Sequence, residues 1–188
     1  MPTYQFMEHF DENKVIEELL EPKTRHRAFE TIVRRESENL YWVIRRIVLS
    51  HDDADDVLQN TFLKAWNSIE QFQNRSKIST WLYRIAVNEA LDFVRRNKYV
   101  ADVDADDPKG VAAQLMADNW FDGDRVDALL QEAIATLPDV QRTVFILKYY
   151  ENMKYSEMSQ VLDTSEGALK SSYHIAVKKI SEYVSRNE

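Results

Sequence analysis

The chain contains no cysteine, so disulfides and thiolate metal sites are excluded from the start. Three glycines and four prolines in 188 residues leave few sites for tight turns or helix breaks. Strand-like alternation is absent, and no segment repeats. No apolar run approaches the length of a membrane span, and the first ten residues, MPTYQFMEHF, lack the apolar core of a signal peptide. The expectation is a soluble, cytoplasmic, all-α protein without membrane insertion. What is present is ample material for burial: 44% hydrophobic residues beside 30% charged ones.

The net charge of −8 argues against a nucleic-acid ligand only until it is divided along the chain. Residues 75–98 carry Arg75, Lys77, Arg84, Arg95, Arg96 and Lys98 against Glu89 and Asp92. Residues 100–132 carry nine acids against Lys109 and Arg125. The average therefore conceals a basic region beside an acidic one.

Periodicity predicts a short amphipathic helix over 11–20, broken near Pro22, and a long one from Arg27 to Leu49. His51-Asp52-Asp53 reads as a turn and N-cap for a helix over about 54–67. That helix buries Val57, Leu58, Thr61, Phe62, Ala65 and Trp66, and it presents Asp56, Gln59, Asn60 and Leu63 in one narrow stripe. The polar loop Gln73-Asn74-Arg75-Ser76-Lys77 then leads into another helix, which completes a first domain at 11–98. Residues 99–124 are acidic, with Pro108 and Gly110, and read as a flexible linker, with a short helix possible over Val111–Phe121. Such a tether lets the two units it joins move far apart. A second domain at 125–186 opens with a helix from Arg125 to Leu137 and another after Pro138. Tyr155–Leu162, the turn Asp163-Thr164 and a Ser165-capped helix to about Val184 complete it. Leu169, Tyr173, Ala176, Val177 and Ile180 form the expected buried stripe of that last helix.

Two stretches carry the chemistry of recognition. On the helix after the polar loop, Ile78, Leu82, Ile85, Ala86 and Phe93 gather on one side. Lys77, Arg84, Asn88, Asp92 and Arg95 fall within an arc of roughly 80° opposite, with Trp81 beside them. Cations, an amide and an aromatic ring on one face suit a nucleic-acid strand, although a solvated face has the same composition. Asp92 requires a partner in such an arc, and Arg95 or Arg96 is the expected one. In the second domain, a short helix, a short turn and a longer helix make a helix-turn-helix of three or four helices without a wing. Gly167, Ser171, His174 and Lys178 point away from its buried stripe, flanked by Ala168 and Lys170. Small residues there permit close approach to base edges, and lysines suit phosphates.

These stretches, in this order, resemble the extracytoplasmic-function group of sigma-70-type sigma factors. DADDVLQNTFLKAW (53–66) is similar to that family's core-polymerase-binding helix, and FQNRSKISTWLYRIAVNEALDFVRR (72–96) to its −10-element segment. IATLPDVQRTVFILKYY (134–150) followed by YSEMSQVLDTSEGALKSSYHIAVKKI (155–180) is similar to its −35-binding domain. The resemblance implies that Asp55, Asp56, Gln59, Asn60 and Leu63 dock on core RNA polymerase. It implies that Gln73, Asn74, Arg75, Ser76 and Lys77 hold a flipped base of the −10 strand, which Arg84, Asn88, Arg95 and Arg96 then track. Trp81 is either a stacking wedge or a packing residue. Ser165, Gly167, Ala168, Lys170, Ser171, His174 and Lys178 are implied in −35 contact. Ser172 and Ile175 stand where the family commonly has Arg, which implies fewer phosphate contacts. In the linker, Asp102, Asp104, Asp106 and Asp107 either imitate a phosphate backbone or simply solvate a tether.

The implied partners are core RNA polymerase, promoter DNA and, in many relatives, an anti-sigma factor. No further domain follows Glu188, so regulation built into the chain is not expected. Two other classes compete. A stand-alone helix-turn-helix regulator would need a ligand pocket where residues 53–66 show a polar stripe. An enzyme would need a constellation that is missing: His9, His26, His51 and His174 are scattered, with no HExxH spacing, phosphate-binding glycine loop or activated nucleophile. No cofactor, metal or catalytic residue is expected.

Overall fold

The computed structural model describes residues 11–72, 74–100 and 125–187. Most of the linker, its aspartates and the expected helix at 111–121 lie outside the described residues, as does Gln73. Among the described residues the architecture is all-helical, with no strand.

Helix α1 (Glu12–Leu20) is capped by Asp11, whose carboxylate accepts from the Asn13 and Lys14 amides. Helix α2 (Arg25–Val48) starts two residues earlier than its apolar pattern suggests and ends on Leu49 in a left-handed conformation. Helix α3 (His51–Asn67) takes in the three residues expected to form the turn before it. The capping oxygen is Ser50 Oγ, which accepts from the Asp53 amide at 3.4 Å, so His51, Asp52 and Asp53 form the first turn. The two aspartates there complement the helix dipole. A single 3-10 turn (Ile69–Gln71) and the polar loop lead to α4 (Ile78–Val100).

The second unit holds α5 (Arg125–Ala135), α6 (Asp139–Tyr149), α7 (Tyr155–Leu162) and α8 (Glu166–Asn187). Pro138 immediately precedes α6, where a missing N–H costs nothing. Asp163 ends α7 with φ of 50°, and Ser165 Oγ accepts from the Ala168 amide at 3.3 Å to start α8. On α8, Leu169, Ala176 and Ile180 are buried and Tyr173 is half-buried. Val177 departs from expectation: it is exposed, while its neighbour Ala176 is the residue packed against Ile134 of α5 and Phe145 of α6.

The larger departure concerns how the two units relate. They pack against one another, α7 on α4 and α6 on α2. One cluster of buried apolar side chains runs from Ile16 and Leu19 through Ile44, Leu82 and Val87 into Val144, Leu147, Met158 and Leu169. A smaller cluster around Ile134, Phe145 and Ala176 belongs to the second unit alone. The reason lies in α4, which is apolar on two sides. Besides the expected Ile78, Leu82 and Ala86, it buries Thr80, Tyr83, Val87, Ala90 and Leu91. A helix apolar over most of its circumference must be covered by more than one neighbour.

Candidate nucleic-acid and polymerase interface

On α3 the spacing of 3 and 4 residues that buries Val57, Thr61 and Ala65 turns Asp56, Gln59, Asn60 and Leu63 outward, and all four are exposed. Leu63 keeps 55% of its surface accessible, a large apolar side chain inside a polar stripe. Asp55 is also exposed, with His51 Nε2 at 3.8 Å.

The loop before α4 is shaped by two anchors. Phe72 is buried, its ring 5.3 Å from that of Trp81. Glu12, from the far end of the first unit, accepts the Ile78 amide at 2.9 Å and satisfies one of the orphan donors at the start of α4. Between these anchors, Asn74 takes φ of 51°, a left-handed conformation that Asn tolerates better than most residues. Asn74 and Arg75 are exposed and Ser76 is half-buried. Trp81 is half-buried, packed against the core with its ring tilted 51° to that of Phe72.

Along α4, Arg84, Asn88, Arg95 and Arg96 are exposed on the expected side. Asp92 is held by Arg95 at 3.0 Å, while Arg96 Nε donates to the Asp92 backbone oxygen at 3.3 Å. The acid in the arc is thus neutralised by its neighbour. A shallow cleft beside it is lined by Lys64, Glu89, Asp92, Arg95 and Arg96, with Lys64 paired to the nearly buried Glu89.

The helix-turn-helix shows Ser165, Gly167, Ala168, Lys170, Ser171, His174 and Lys178 all exposed. A Cβ added at Gly167 would meet nothing within 4 Å. Ser171 Oγ donates back to the Gly167 carbonyl at 3.0 Å. Lys170 and Lys178 reach Glu166 and Glu182 only at 3.9 and 4.0 Å, exposed pairs that a phosphate readily replaces. Ile175 is 43% exposed, and Ser172 is half-buried.

Several residues on these surfaces carry interactions that no local pattern announces. Lys77 Nζ lies 3.1 Å from Glu157 Oε1 on α7. Partial burial alone would push the Glu157 carboxyl up. The Lys154 amide and the Lys77 ammonium outweigh it, and the group lies below the usual carboxylate range. Tyr83 is 7% exposed and donates to Glu151 Oε2 at 2.7 Å. Burial and that carboxylate push its phenol well above the usual range. The Arg46 guanidinium sits 4.0 Å from the centre of the Tyr150 ring. Only Tyr83 left a trace in the sequence: Thr80, Tyr83, Val87 and Leu91 repeat at helical spacing, a second stripe on α4.

Residues 32–99 match the family Sigma-70 region 2, and residues 127–180 match Sigma-70, region 4. Among similar proteins, the ECF RNA polymerase sigma factor SigW of Bacillus subtilis is 33% identical over 156 residues, covering 78% of this chain and 83% of its own. The ECF RNA polymerase sigma-E factor of Haemophilus influenzae is 30% identical over 154 residues, covering 77% and 81%. In fold, the chain is similar to CnrH, solved in complex with the cytosolic domain of CnrY, with a TM-score of 0.70 over 94% of this chain and 99% of that one at 22% identity. It is also similar to the sigma factor RpoE of Bartonella quintana, solved with the anti-sigma factor NepR, with a TM-score of 0.65 over 85% and 98% at 20% identity.

Proposed function

Because the chain belongs to the extracytoplasmic-function group of sigma-70-type RNA polymerase sigma factors, we propose how its three exposed surfaces divide that work. The α3 stripe of Asp55, Asp56, Gln59, Asn60 and Leu63 docks on core polymerase. The loop 73–77 and the α4 face, Arg84, Asn88, Arg95 and Arg96, capture the −10 strand. Asn74 and Arg75 read the edges of an extruded base, and the accessible part of Trp81 supports its neighbour by stacking. Helix α8 enters the major groove at the −35 element through Ser165, Gly167, Ala168, Lys170, Ser171, His174 and Lys178. Ile175 meets a thymine methyl, where the family's common Arg would meet phosphate.

The observation that carries this reading is the exposure of all three surfaces on separate elements, in the family's order. The exposed polar stripe of α3 also disfavours a stand-alone regulator, whose sensing helix would turn that face toward a ligand. The polymerase supplies the chemistry, and the chain works where the polymerase does, in the cytoplasm. No helix among the described residues is long and apolar enough to cross a membrane. An inhibitory protein partner is supported by the complex in which RpoE was solved with the anti-sigma factor NepR. The test is transcription with purified core polymerase on a genomic library, reading the start sites. Enrichment of one shared pair of −10 and −35 sequences is expected. Start sites indistinguishable from those of core polymerase alone would refute the assignment.

A further inference from the structure

We propose that His51, the first residue of α3, is a positioning residue for polymerase docking. While neutral it orients the Asp55 carboxylate, and on taking a second proton it cancels that carboxylate's charge. The proposal rests on the assignment of the α3 stripe to core polymerase. Of the polar residues in that stripe, Asp55, Asp56, Gln59 and Asn60, only Asp55 has a side-chain partner among the described residues, and that partner is His51. The imidazole is held in turn by α2. The Tyr41 hydroxyl is hydrogen-bonded to His51 Nδ1, and the two rings meet edge to face with centres 5.9 Å apart. Tyr41 is itself braced by the Trp42 ring, 5.2 Å away.

The two ring nitrogens face different groups, and this fixes where the proton of the neutral ring sits. His51 Nε2 lies 3.8 Å from Asp55 Oδ2, an electrostatic contact longer than a hydrogen bond. A bare Nε2 lone pair would repel the carboxylate, so Nε2 carries the proton and Nδ1 accepts from Tyr41. The orientation of Asp55 therefore traces back to α2, outside the stripe. Ordering a carboxylate before it meets its partner lowers the entropic cost of docking. A second proton, on Nδ1, turns the Tyr41 hydroxyl from donor to acceptor and makes the ring a cation. Asp52, Asp53 and Asp55 of α3 favour that cation, and the N-terminal end of the α3 dipole opposes it. On α2, Glu38 and the buried Arg45 lie one turn to either side of Tyr41. Helix α4 and the 3-10 turn, which also pack on α3, place no group within ion-pair or hydrogen-bond distance of His51 among the described residues.

The charge around the stripe gives the change its sign. Asp52, Asp55 and Asp56 are exposed together at the start of α3, so the polymerase surface that meets them is cationic. A neutral His51 leaves all of that negative charge available. A protonated His51 forms an ion pair with Asp55 and removes one unit of it. The side chains of His51 and Asp55 keep 48% and 60% of their surface accessible, so the pair is screened by solvent and salt. An exposed pair of this kind alters binding by about two- to fivefold, enough to tune docking rather than to abolish it.

The test is binding of the labelled full chain to core polymerase, read by fluorescence anisotropy from about pH 5.5 to about pH 8, where histidine side chains change charge. Each variant is compared with wild type at the same pH, so the polymerase's own titration cancels. At the alkaline end, His51→Ala is expected to weaken binding about two- to fivefold. His51→Gln, whose amide donates toward Asp55 but does not titrate, should recover most of that loss. As pH falls, wild type should lose binding relative to His51→Gln. In an Asp55→Ala background, His51→Ala should change nothing. A ratio of wild type to His51→Gln that stays flat with pH overturns the proposal, and so does a His51→Ala effect that persists without Asp55. A merely structural histidine would give both of those results. A loss for Asp55→Ala without one for His51→Ala overturns the positioning role alone. Asp55→Ala binding as tightly as wild type overturns that role and removes Asp55 from the docking stripe.

Discussion

Arg142 of α6 donates to the backbone oxygen of Ile47, in the last turn of α2, at 3.2 Å. The same guanidinium donates to Ala135 at 2.9 Å and to Leu137 at 3.0 Å, where α5 ends. One buried cation therefore serves the carbonyl ends of two helices from different units, where both dipoles favour positive charge. Asp139, with an oxygen at 3.9 Å, supplies part of the counter-charge.

Arg142→Ala should therefore cost far more than an exposed arginine would. It leaves three carbonyls without this donor, at a cost of about 3 kcal/mol or more. Arg142→Lys restores the charge but not the fork geometry, and should recover only part of the loss. Urea unfolding checks both. A loss under about 1 kcal/mol for the alanine variant would show that the carbonyls find other partners.

Glu36 sets a pH dependence of less common sign. It is 7% exposed on α2, with Arg35 Nε at 3.3 Å. Burial pushes its carboxyl above the ordinary 4.5, Arg35 pulls part of the way back, and Glu12 adds to the rise. Above pH 4.5 the folded chain thus holds more of this proton than the unfolded chain does. Stability from this group is present at low pH and lost as pH rises through the raised value. Glu36→Gln removes the buried charge. The variant should be at least as stable as wild type at pH 7, with a shallower decline as pH rises above the ordinary carboxylate range. Thermal unfolding over that rise in pH decides it: a variant clearly weaker at pH 7 would mean that the Arg35 pair outweighs burial.

Asp56→Ala with Gln59→Ala separates docking from folding. Both side chains are exposed, so stability should change by no more than about 0.5 kcal/mol per site. Binding to core polymerase, read by fluorescence anisotropy of a labelled chain, should weaken at least about tenfold. Unchanged binding would move the polymerase contact off α3.

How far the sequence could be read depended on separation along the chain. The α3 stripe, the Ser165 cap and the Asp92–Arg95 pair all follow from spacings of three or four residues, and each appears in the structure. Helix ends held to within a few residues where a cap or proline marks them, and failed at α3, where the true cap was Ser50. What connects the units was not legible. Glu157 lies 80 residues from Lys77, Glu151 lies 68 from Tyr83, and Ile47 lies 95 from Arg142. Pairs so distant leave no periodic trace. The linker's acidity suggested independent units, yet the second apolar stripe of α4 needed a cover, and α7 provides it. Trp81 shows the middle case: its place beside the polar arc was readable, but Phe72, which holds it, lies in the loop rather than on the helix.

On the recognition helix, charge and edge contacts should separate by assay. Lys178→Ala removes an exposed cation whose own-helix partner Glu182 is 4.0 Å away. It should weaken −35-dependent transcription similarly across sequences and lower the slope of log affinity against log salt by about one. Ser171→Ala and His174→Ala should instead shift preference at individual −35 positions, read from a panel of promoter variants. Identical behaviour by all three would remove α8 from the groove.

Gly167 sharpens that test because stability and function should move in opposite directions. It is the second residue of α8, and no neighbour lies within 4 Å of where a Cβ would stand. Nothing in the folded chain therefore requires glycine there. Gly167→Ala should leave stability unchanged or raise it by up to about 1 kcal/mol, since alanine is the better helix former. If the start of α8 lies against base edges or a phosphate, however, the added methyl occupies the gap. Transcription from promoters that need the −35 element should fall, while the thermal midpoint holds or rises. Equal or better transcription by a stabilised Gly167→Ala chain would show that the DNA does not approach this turn of the helix, and would shift the contact toward Lys170 and His174.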